Sequence, residues 1–328
     1  MGERASLDRS LVLGAVRTAE AAAIAASRLI GLGDEKAADQ AAVDAMRTML
    51  NDLDFDGKVV IGEGERDEAP MLYIGEKVGS GNGAKIDIAL DPLEGTTITA
   101  NGGPNSLAVI AMAEEGGFLY APDVYMEKIA VGGGLPADVI DLDRSTAENM
   151  GALADAKGVA PSDLMACVLD RPRHAKIIED IRSTGARIQL IPDGDVAGVI
   201  ATAEQGTGID IYIGTGGAPE GVLAAAALTC IGGQMQGRLV FRNDDERGRA
   251  HKAGIDDLQR KYSLADLAHG DVLFAATGVT DGSMLQGVKR HATHVTTETI
   301  VMRARTGTVR WIRAKHDVDR ALKGTIQN

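Results

Sequence analysis

A short acidic segment at residues 91–96, with the sequence Asp-Pro-Leu-Glu-Gly-Thr, has the residue types of a metal–phosphate site. Its proline fixes one backbone angle and its glycine permits a tight bend. The carboxylates of Asp91 and Glu94 can therefore face one point, with the hydroxyl of Thr96 beside it. Mg²⁺ prefers carboxylate and water oxygens, and substrate phosphate often completes its coordination shell. The segment predicts a divalent-metal site that acts on a phosphate.

Other carboxylates in the first half of the chain fit the same chemistry. Asp39 lies on the apolar face of a helix predicted at residues 37–50, where a carboxylate needs a partner or a metal. Glu63 and Glu65 alternate with glycines after a strand predicted at residues 58–61, and these glycines let the backbone approach a ligand closely. The alternatives are stabilisation of the helix dipole by Asp39 and an ordinary polar turn at Glu63.

Three predicted strands of the second half end in residues that suit an anionic ligand. The first is followed by Arg171-Pro172-Arg173, whose guanidinium groups offer paired donors to phosphate. The next is followed by Asp193-Gly194-Asp195, and the third by the glycine-rich residues 214–217, whose backbone N–H groups could hold an anion at the start of a helix. Ligands bind outside the carboxyl ends of parallel strands, so a phosphate site is expected there. Ordinary surface charge and a plain tight turn are the alternatives.

The two halves of the chain differ in their predicted elements. The first half is predicted to contain helices at 9–30 and 37–50 and then antiparallel strands at 58–61, 86–90, 106–113, 118–120 and 126–131, with a hairpin at Gly116-Gly117. The second half alternates strands at 165–169, 187–191 and 209–213 with helices at 174–184, 196–204 and 221–230, which predicts a parallel sheet. It continues with a solvated helix at residues 242–260, a strand at 272–276 and a hairpin around Thr306-Gly307, where the lone Trp311 is expected to pack.

The glycine-rich segment at residues 132–136 is the best candidate for an internal boundary. We therefore expect an N-terminal lobe at residues 1–135 that carries the metal-binding carboxylates. A C-terminal lobe at residues 136–328 would bind the sugar phosphate. The two lobes would form one catalytic unit with the site between them.

The overall charge limits the classes of partner. The 328 residues include 34 Lys and Arg against 47 Asp and Glu, a net charge of −13. Such a chain lacks the basic surface of a nucleic-acid or anionic-membrane binder, and no apolar run reaches the roughly 18–20 residues of a membrane span. Cys167 and Cys230 lie in apolar segments without metal or redox spacing, as expected in a reducing cytoplasm. The 41 glycines point to many specific turns.

Residues 91–96 match the Asp-Pro-Leu/Ile-Asp/Glu-Gly-Thr motif of the lithium-sensitive sugar and inositol phosphatases. The neighbouring motifs are more specific, and from about residue 9 to residue 316 the chain resembles the bacterial class II fructose-1,6-bisphosphatases. The matching segments, in the family's order, are residues 60–65, 68–76, 125–128, 171–174, 193–196 and 216–221.

The resemblance implies a mixed α/β fold of stacked α-β-α-β-α layers, as in inositol monophosphatases. It also implies hydrolysis of the 1-phosphate of fructose 1,6-bisphosphate to fructose 6-phosphate, a step of gluconeogenesis, with two or three Mg²⁺ or Mn²⁺ ions. The expected partners are a small sugar bisphosphate and further copies of the chain in a dimer or tetramer, without nucleic acid or membrane.

The family's functional residues carry over to positions of this chain. Its metal ligands fall on Asp39, Glu63, Asp91, Glu94 and Glu220. Its substrate contacts fall on Glu94, Gly95, Thr96, Tyr125, Arg171, Pro172, Arg173, Asp193, Gly194, Asp195 and Gly217. Thr96, Asp91 and Glu63 take catalytic roles, with Thr96 orienting the attacking water. Tyr125 has no such role in the pattern of residues alone, which predicts a core position on a strand.

The chain departs from the family in one segment near the metal ligands. The family often has Gly-Asp-Lys-Asn where this chain has Gly33-Asp34-Glu35-Lys36, so a role for a lysine at position 35 does not carry over. The alternatives in function are a preference for sedoheptulose 1,7-bisphosphate and a catalytically silent sugar-phosphate sensor. The intact metal carboxylates and Thr96 favour an enzyme, because a sensor needs no aligned water.

Overall fold

The computed structural model describes Leu7, residues 9–64 and residues 71–317. Its α-helices are α1 Leu11–Ala26, α2 Glu35–Asn51, α3 Thr96–Asn101, α4 Thr146–Lys157, α5 Ala175–Ser183, α6 Asp195–Ile200, α7 Ala218–Ile231, α8 Asp244–Lys252 and α9 Leu264–Leu267. Its strands are β1 Asp56–Ile61, β2 Lys77–Val78, β3 Lys85–Glu94, β4 Leu107–Glu114, β5 Tyr125–Gly132, β6 Met165–Leu169, β7 Arg187–Ile191, β8 Ile211–Gly217, β9 Gly233–Val240, β10 Lys261–Ser263, β11 Leu273–Gly278, β12 Lys289–Arg290, β13 His294–Arg303 and β14 Thr308–Asp317.

The first sheet has the strand order β12-β13-β11-β4-β3-β1-β2, with β14 paired to β13. The pairs β3–β4, β4–β11, β11–β13 and β13–β14 are antiparallel, whereas β1 and β3 are parallel. The strand β4 is almost completely buried and reads as a continuous apolar run, because both of its faces are covered. The predicted closing hairpin at residues 306–307 is confirmed as β13–β14.

The second sheet has the order β10-β9-β5-β8-β6-β7. The strands β6, β7 and β8 are parallel, with α5 and α6 in the connections between them, so the predicted βαβ pattern is confirmed. The strand β5 is antiparallel to both of its neighbours, β8 and β9. This pairing places Tyr125, at the start of β5, beside Gly217, at the end of β8.

The elements stack in five layers, α-β-α-β-α, as the resemblance implied. The helices α1 and α2 pack on the outer face of the first sheet, and α4 and α5 pack on the outer face of the second. The helix α7 lies between the sheets and contacts both. Its sequence, rich in alanine and buried on all sides, suits this place because small side chains let two sheets approach one helix closely.

The chain crosses between the sheets more than once, so the sheets do not divide at residue 135. The strand β5 precedes that position but belongs to the second sheet, and β11 to β14 follow it but belong to the first sheet. The proposed lobes at residues 1–135 and 136–328 therefore do not correspond to the two sheets. Within the described residues, no helix is both long and apolar enough to cross a membrane.

The predicted hairpin at Gly116-Gly117 is wrong. The chain turns there and leaves the first sheet, and only Phe118 forms an isolated bridge, to Ala268, in place of the predicted strand at residues 118–120. The Leu119 N–H donates to the Leu267 carbonyl, so these residues pair with the segment at α9. Local turn signals could not reveal that this segment has a partner almost 150 residues away.

Two further predictions need correction, and one is confirmed. The charged stretch at residues 242–260 is helical only in α8, because Asn243 caps the helix and the chain turns after Lys252. Trp311 does not pack in a core but is 50% exposed on the edge strand β14. Cys167 and Cys230 are buried free thiols, as predicted.

Candidate active site

A cavity of about 630 Å³ opens where the ends of β3 and β8 meet the start of β5. Nearly all the predicted site residues line it, namely Asp39, Glu63, Asp91, Glu94, Gly95, Thr96, Tyr125, Arg171, Arg173, Asp193, Gly194, Asp195, Gly217 and Glu220. Pro172 is the exception: it is exposed at the start of a 3-10 turn and does not line the cavity. Glu65, a further carboxylate that the sequence analysis considered for the metal site, lies outside the described residues.

The acidic segment lies at the end of β3 and lines this cavity. The strand extends to Glu94 rather than ending near residue 90, and its register with β4 shifts between Asp91 and Glu94. A proline is tolerated at such an irregularity because its missing N–H is not needed in the ladder. Gly95 then adopts a left-handed backbone, with φ at 81°, and α3 begins at Thr96. The bend places both carboxylates and the hydroxyl on the cavity wall, as the sequence predicted.

The carboxylates of the cavity lie close enough to disfavour one another's charge. Burial raises the pKa of Glu63 to about 8, and the charges of Asp39 and Glu220 add to the effect. Burial also holds the pKa of Asp91 well above its usual range, with Glu63, Glu94, Glu220 and Asp39 contributing in that order. Residues from four separate segments therefore converge, and their repulsion calls for a compensating positive charge.

The chemistry of these groups fits divalent cations. The oxygens Glu94 Oε2 and Glu220 Oε2 are buried and have no hydrogen-bond donor among the described residues. A buried carboxylate oxygen without a donor is costly, and a hard cation would satisfy it. Within the described ranges, no three His, Cys, Asp or Glu side chains already surround one point as a finished ligand set.

Glu94 also joins the two sheets at the site. Its Oε1 accepts a hydrogen bond from the Val196 N–H at 2.9 Å, although the two residues are 102 positions apart. Val196 is the second residue of α6, so the acidic end of β3 docks on the first turn of a helix from the second sheet. Burial and the neighbouring Asp195 raise the pKa of Glu94 well above normal, and the Val196 hydrogen bond opposes that rise.

The glycines at residues 214–217 have a different role from the predicted anion-binding loop. They form the end of β8 and pair with β5, so part of their backbone takes part in the sheet. A Cβ on Gly216 would collide with the Asp195 carboxylate, and one on Gly217 would collide with that of Glu220. These glycines therefore allow two carboxylates to lie directly against the strand, which only the tertiary structure reveals.

A buried lysine beneath the carboxylates was missed by the reasoning from sequence. The Lys128 side chain is 0% exposed, and its Nζ donates to Asp195 Oδ2 at 2.5 Å and to the Gly217 carbonyl at 2.9 Å. The Tyr212 hydroxyl donates to the same Asp195 oxygen at 3.2 Å. Lys128 directly precedes the apolar residues 129–131 of β5 and shares a face of the strand with Met126, which is the signal that could have indicated a buried partner.

The strand-end arginines form the basic side of the cavity. Arg171 lies 3.7 Å from the Asp193 carboxylate, and the Nε of Arg173 donates to the Thr215 carbonyl at 2.9 Å. The next residue, the buried His174, accepts a hydrogen bond from the Thr215 N–H at 2.8 Å through Nε2. Its Nδ1 is hydrogen-bonded to the Leu169 carbonyl. This imidazole ties the arginine segment to β8, and its burial lowers its pKa.

Tyr125 is a cavity residue rather than the core residue that its strand position suggested. It is half-buried at the start of β5, and its ring contacts the guanidinium of Arg173. The ring also contacts Arg242, which lines the cavity together with Asp123. Neither Arg242 nor Asp123 was singled out from the sequence. Asp123 lies just before β5 and Arg242 just after β9, and the pairing of these two strands brings them to the same end of the sheet.

The comparisons with known proteins agree with this geometry. The family described as bacterial fructose-1,6-bisphosphatase, glpX-encoded, matches residues 9–316. Fructose-1,6-bisphosphatase 1 class 2 of Escherichia coli strain K12 is 45% identical over 326 residues, which cover 95% of this chain and 96% of the relative. Fructose-1,6-bisphosphatase class 2 proteins of Escherichia coli O6:H1 and of Shigella flexneri match with the same figures. The chain therefore belongs to the bacterial fructose-1,6-bisphosphatase family and is a metal-dependent phosphoric monoester hydrolase.

Proposed function

We propose that the cavity hydrolyses the 1-phosphate of fructose 1,6-bisphosphate to give fructose 6-phosphate and inorganic phosphate. One observation carries this assignment: a single cavity of about 630 Å³ has a carboxylate cluster on one side and arginines on the other. Carboxylates with bound cations suit the phosphate that reacts, and guanidinium groups suit a phosphate that is only held. A sugar with two phosphates matches both sides at once.

We infer that the acidic side holds two or three Mg²⁺ or Mn²⁺ ions through Asp39, Glu63, Asp91, Glu94 and Glu220. When bound, such ions neutralise phosphate oxygens, make a bound water more acidic and stabilise the leaving alkoxide. The chain's own part is to hold the carboxylates in place. The Val196 N–H fixes Glu94, the Leu93 N–H donates to Asp91 Oδ1 at 3.0 Å, and the glycines of β8 admit Glu220.

Thr96 orients the water that attacks phosphorus. Its hydroxyl stands at the first residue of α3, immediately after the bend at Gly95, so the backbone position is fixed on both sides. A hydroxyl can donate one hydrogen bond and accept another, and it can therefore align a water or help remove its proton. Asp91 and Glu63, which line the same cavity, support this step as metal ligands.

The basic side binds the rest of the substrate. Arg171 and Arg173 hold the 6-phosphate away from the bond that breaks, which supplies binding energy and orientation. Asp193 and Asp195 offer acceptors to the sugar hydroxyls, with Gly194 in a left-handed turn between them at φ 80°. Gly217 and Tyr125 complete the wall beside the sugar.

Phosphate release from fructose 1,6-bisphosphate, measured with Mg²⁺, with Mn²⁺ and with EDTA, tests this function. We expect turnover with a divalent ion and loss of turnover in EDTA. Tight binding of fructose 1,6-bisphosphate without phosphate release would instead identify a sensor. The names of the relatives favour the enzyme and the six-carbon sugar.

Parallel kinetics on sedoheptulose 1,7-bisphosphate test the substrate assignment. We expect a lower kcat/KM for the seven-carbon sugar, because discrimination depends on how the pocket holds the extra carbon. A chain about 50-fold better on the seven-carbon sugar would overturn the assignment to fructose 1,6-bisphosphate.

Two further expectations concern the oligomeric state and the cellular compartment. We expect a homo-oligomer, a dimer or a tetramer, which sedimentation analysis would distinguish from a monomer. The buried free thiols Cys167 and Cys230 are compatible with the reducing cytoplasm, where we expect the protein to act.

A further inference from the structure

Two guanidinium groups contact one aromatic ring at the mouth of the cavity. The Cζ atoms of Arg173 and Arg242 lie 4.9 Å and 4.8 Å from the centroid of the Tyr125 ring. Each contact is a favourable cation–π interaction, but the two cations repel each other. An anion bound beside them would offset that repulsion, and the cavity onto which all three residues open is where a substrate phosphate must enter.

Arg242 is held in place by a buried carboxylate. Glu246 is only 1% exposed in its side chain, and its Oε1 accepts from the Arg242 Nε at 2.6 Å and pairs with Nη2 at 2.5 Å. The other oxygen of Glu246 accepts from the Arg242 backbone N–H at 2.6 Å. Asn243 caps α8 by accepting from the Glu246 N–H, which fixes the backbone of the helical turn that carries Glu246. The guanidinium is therefore preorganised although 58% of the side chain is exposed.

The contacts of the three cavity arginines differ in a way that favours Arg242 as a ligand-binding group. In the described part of the chain, Arg171, Arg173 and Arg242 are the basic side chains that line the cavity. Arg171 faces Asp193, and Arg173 is bonded to a carbonyl of β8. Arg242 uses Nε and Nη2 on Glu246, and among the described residues its Nη1 has no acceptor. The group is thus oriented by one edge and open at the other.

We propose that Arg242 is a substrate-positioning residue that binds the phosphate left on the sugar, and that Glu246 orients it. The proposal rests on the function proposed above and adds a third guanidinium to the pair expected from the sequence. A charge-assisted hydrogen bond to phosphate acts equally on the bound substrate and on the transition state. Its loss should therefore appear in KM rather than in kcat.

The test compares Arg242→Gln with the wild type on two substrates, fructose 1,6-bisphosphate and fructose 1-phosphate, which lacks the distal phosphate. We expect KM for the bisphosphate to rise about 10- to 100-fold, with kcat within about threefold of wild type. The kcat/KM for fructose 1-phosphate should stay the same. Inhibition by fructose 6-phosphate, which retains the distal phosphate, should weaken by the factor seen in KM.

Matched variants separate this role from a structural one. Arg247→Gln removes an arginine within α8 that is paired to Asp244 and lies outside the cavity, and it should leave both substrates unaffected. Arg242→Lys and Glu246→Gln should each raise KM for the bisphosphate by a smaller factor, about 3- to 10-fold, and they carry the test if Arg242→Gln folds poorly. Equal losses on both substrates, or no change on the bisphosphate, would overturn the proposal. Absence of bisphosphate turnover in the wild type would refute the proposed function instead.

Discussion

The ammonium group of Lys128 donates to Oδ2 of Asp195 at 2.5 Å, with both side chains buried. Lys128 comes from β5 and Asp195 from the start of α6, so the ion pair joins the central strands of the second sheet to the helix that receives Glu94. The same ammonium opposes the rise in the pKa of Glu220 that burial and Asp195 cause. Lys128 is therefore a fixed positive charge behind the carboxylate cluster.

Replacing Lys128 with methionine should destabilise the protein strongly. The substitution keeps most of the volume but leaves Asp195 buried without its cation, and removing one partner of such a pair costs about 3–5 kcal/mol. Urea denaturation of the variant measures the change in the free energy of unfolding. Lys176→Met, at an exposed ion pair with Asp180, should cost less than about 1 kcal/mol and is the control. A loss below about 1 kcal/mol for Lys128→Met would contradict the assigned role.

Replacing Thr96 with alanine should remove turnover but spare binding. Loss of the hydroxyl that aligns water should lower kcat by roughly 100-fold or more, with KM for fructose 1,6-bisphosphate nearly unchanged. Steady-state kinetics give both constants. Thr97→Ala, one position along α3 and exposed, is the matched control and should retain wild-type kinetics. An unchanged kcat in Thr96→Ala would remove Thr96 from the mechanism.

Magnesium should stabilise the fold more at pH 8 than at pH 6. The pKa of Glu63 is raised from 4.5 to about 8 without metal, so the folded state retains a proton that the unfolded state releases. Stability without metal therefore falls as the pH rises through that window. A cation replaces the proton, and its stabilising effect grows over the same range.

Thermal unfolding in EDTA and in excess Mg²⁺, between pH 5.5 and 8.5, measures that difference in Tm. Glu63→Gln is the control, because an amide in place of the carboxyl does not titrate, and its difference in Tm should depend less on pH. A wild-type difference that is constant or shrinks with rising pH would argue against metal binding at Glu63.

Asp91→Asn should make the metal-free protein more stable and abolish its activity. Burial and four neighbouring carboxylates disfavour the charge of Asp91, whereas an amide relieves both effects and can still accept from the Leu93 N–H. Functional sites commonly trade stability for activity, and relief of this kind is worth about 0.5–2 kcal/mol. Denaturation in EDTA and turnover with Mg²⁺ are the two measurements. A variant that is less stable in EDTA would show that Asp91 is not under electrostatic strain.

Local segments account for what could be predicted from the sequence. The strand from residue 86 and the bend at Gly95 follow from an apolar run, a proline and a glycine that are neighbours in the chain, whereas the short helix α3 was not predicted. The βαβ order of β6 to β8 likewise follows from alternating periodicities within short windows. Because such signals depend on residues only a few positions apart, the carboxylates and strand-end arginines were identified before any tertiary structure was known.

Contacts between distant segments account for what was missed. The segment after Gly116 is not a hairpin, because its partner lies near Ala268. The glycines of β8 belong to a strand paired with β5, which the local glycine pattern did not predict. Neither Lys128 nor Arg242 was identified from the sequence as part of the site. Each acquires its place only where β5 lies between β8 and β9.

The sequence by itself therefore determined the chemistry of this protein: acidic groups for cations, arginines for phosphate and a hydroxyl for water. The tertiary structure decided which groups share one cavity, which are neutralised from behind by Lys128, and that Arg242 belongs among them. The physical reason is one of range. Residue type and backbone preference act over a few neighbours, whereas burial and charge interactions depend on all the segments that the fold brings together.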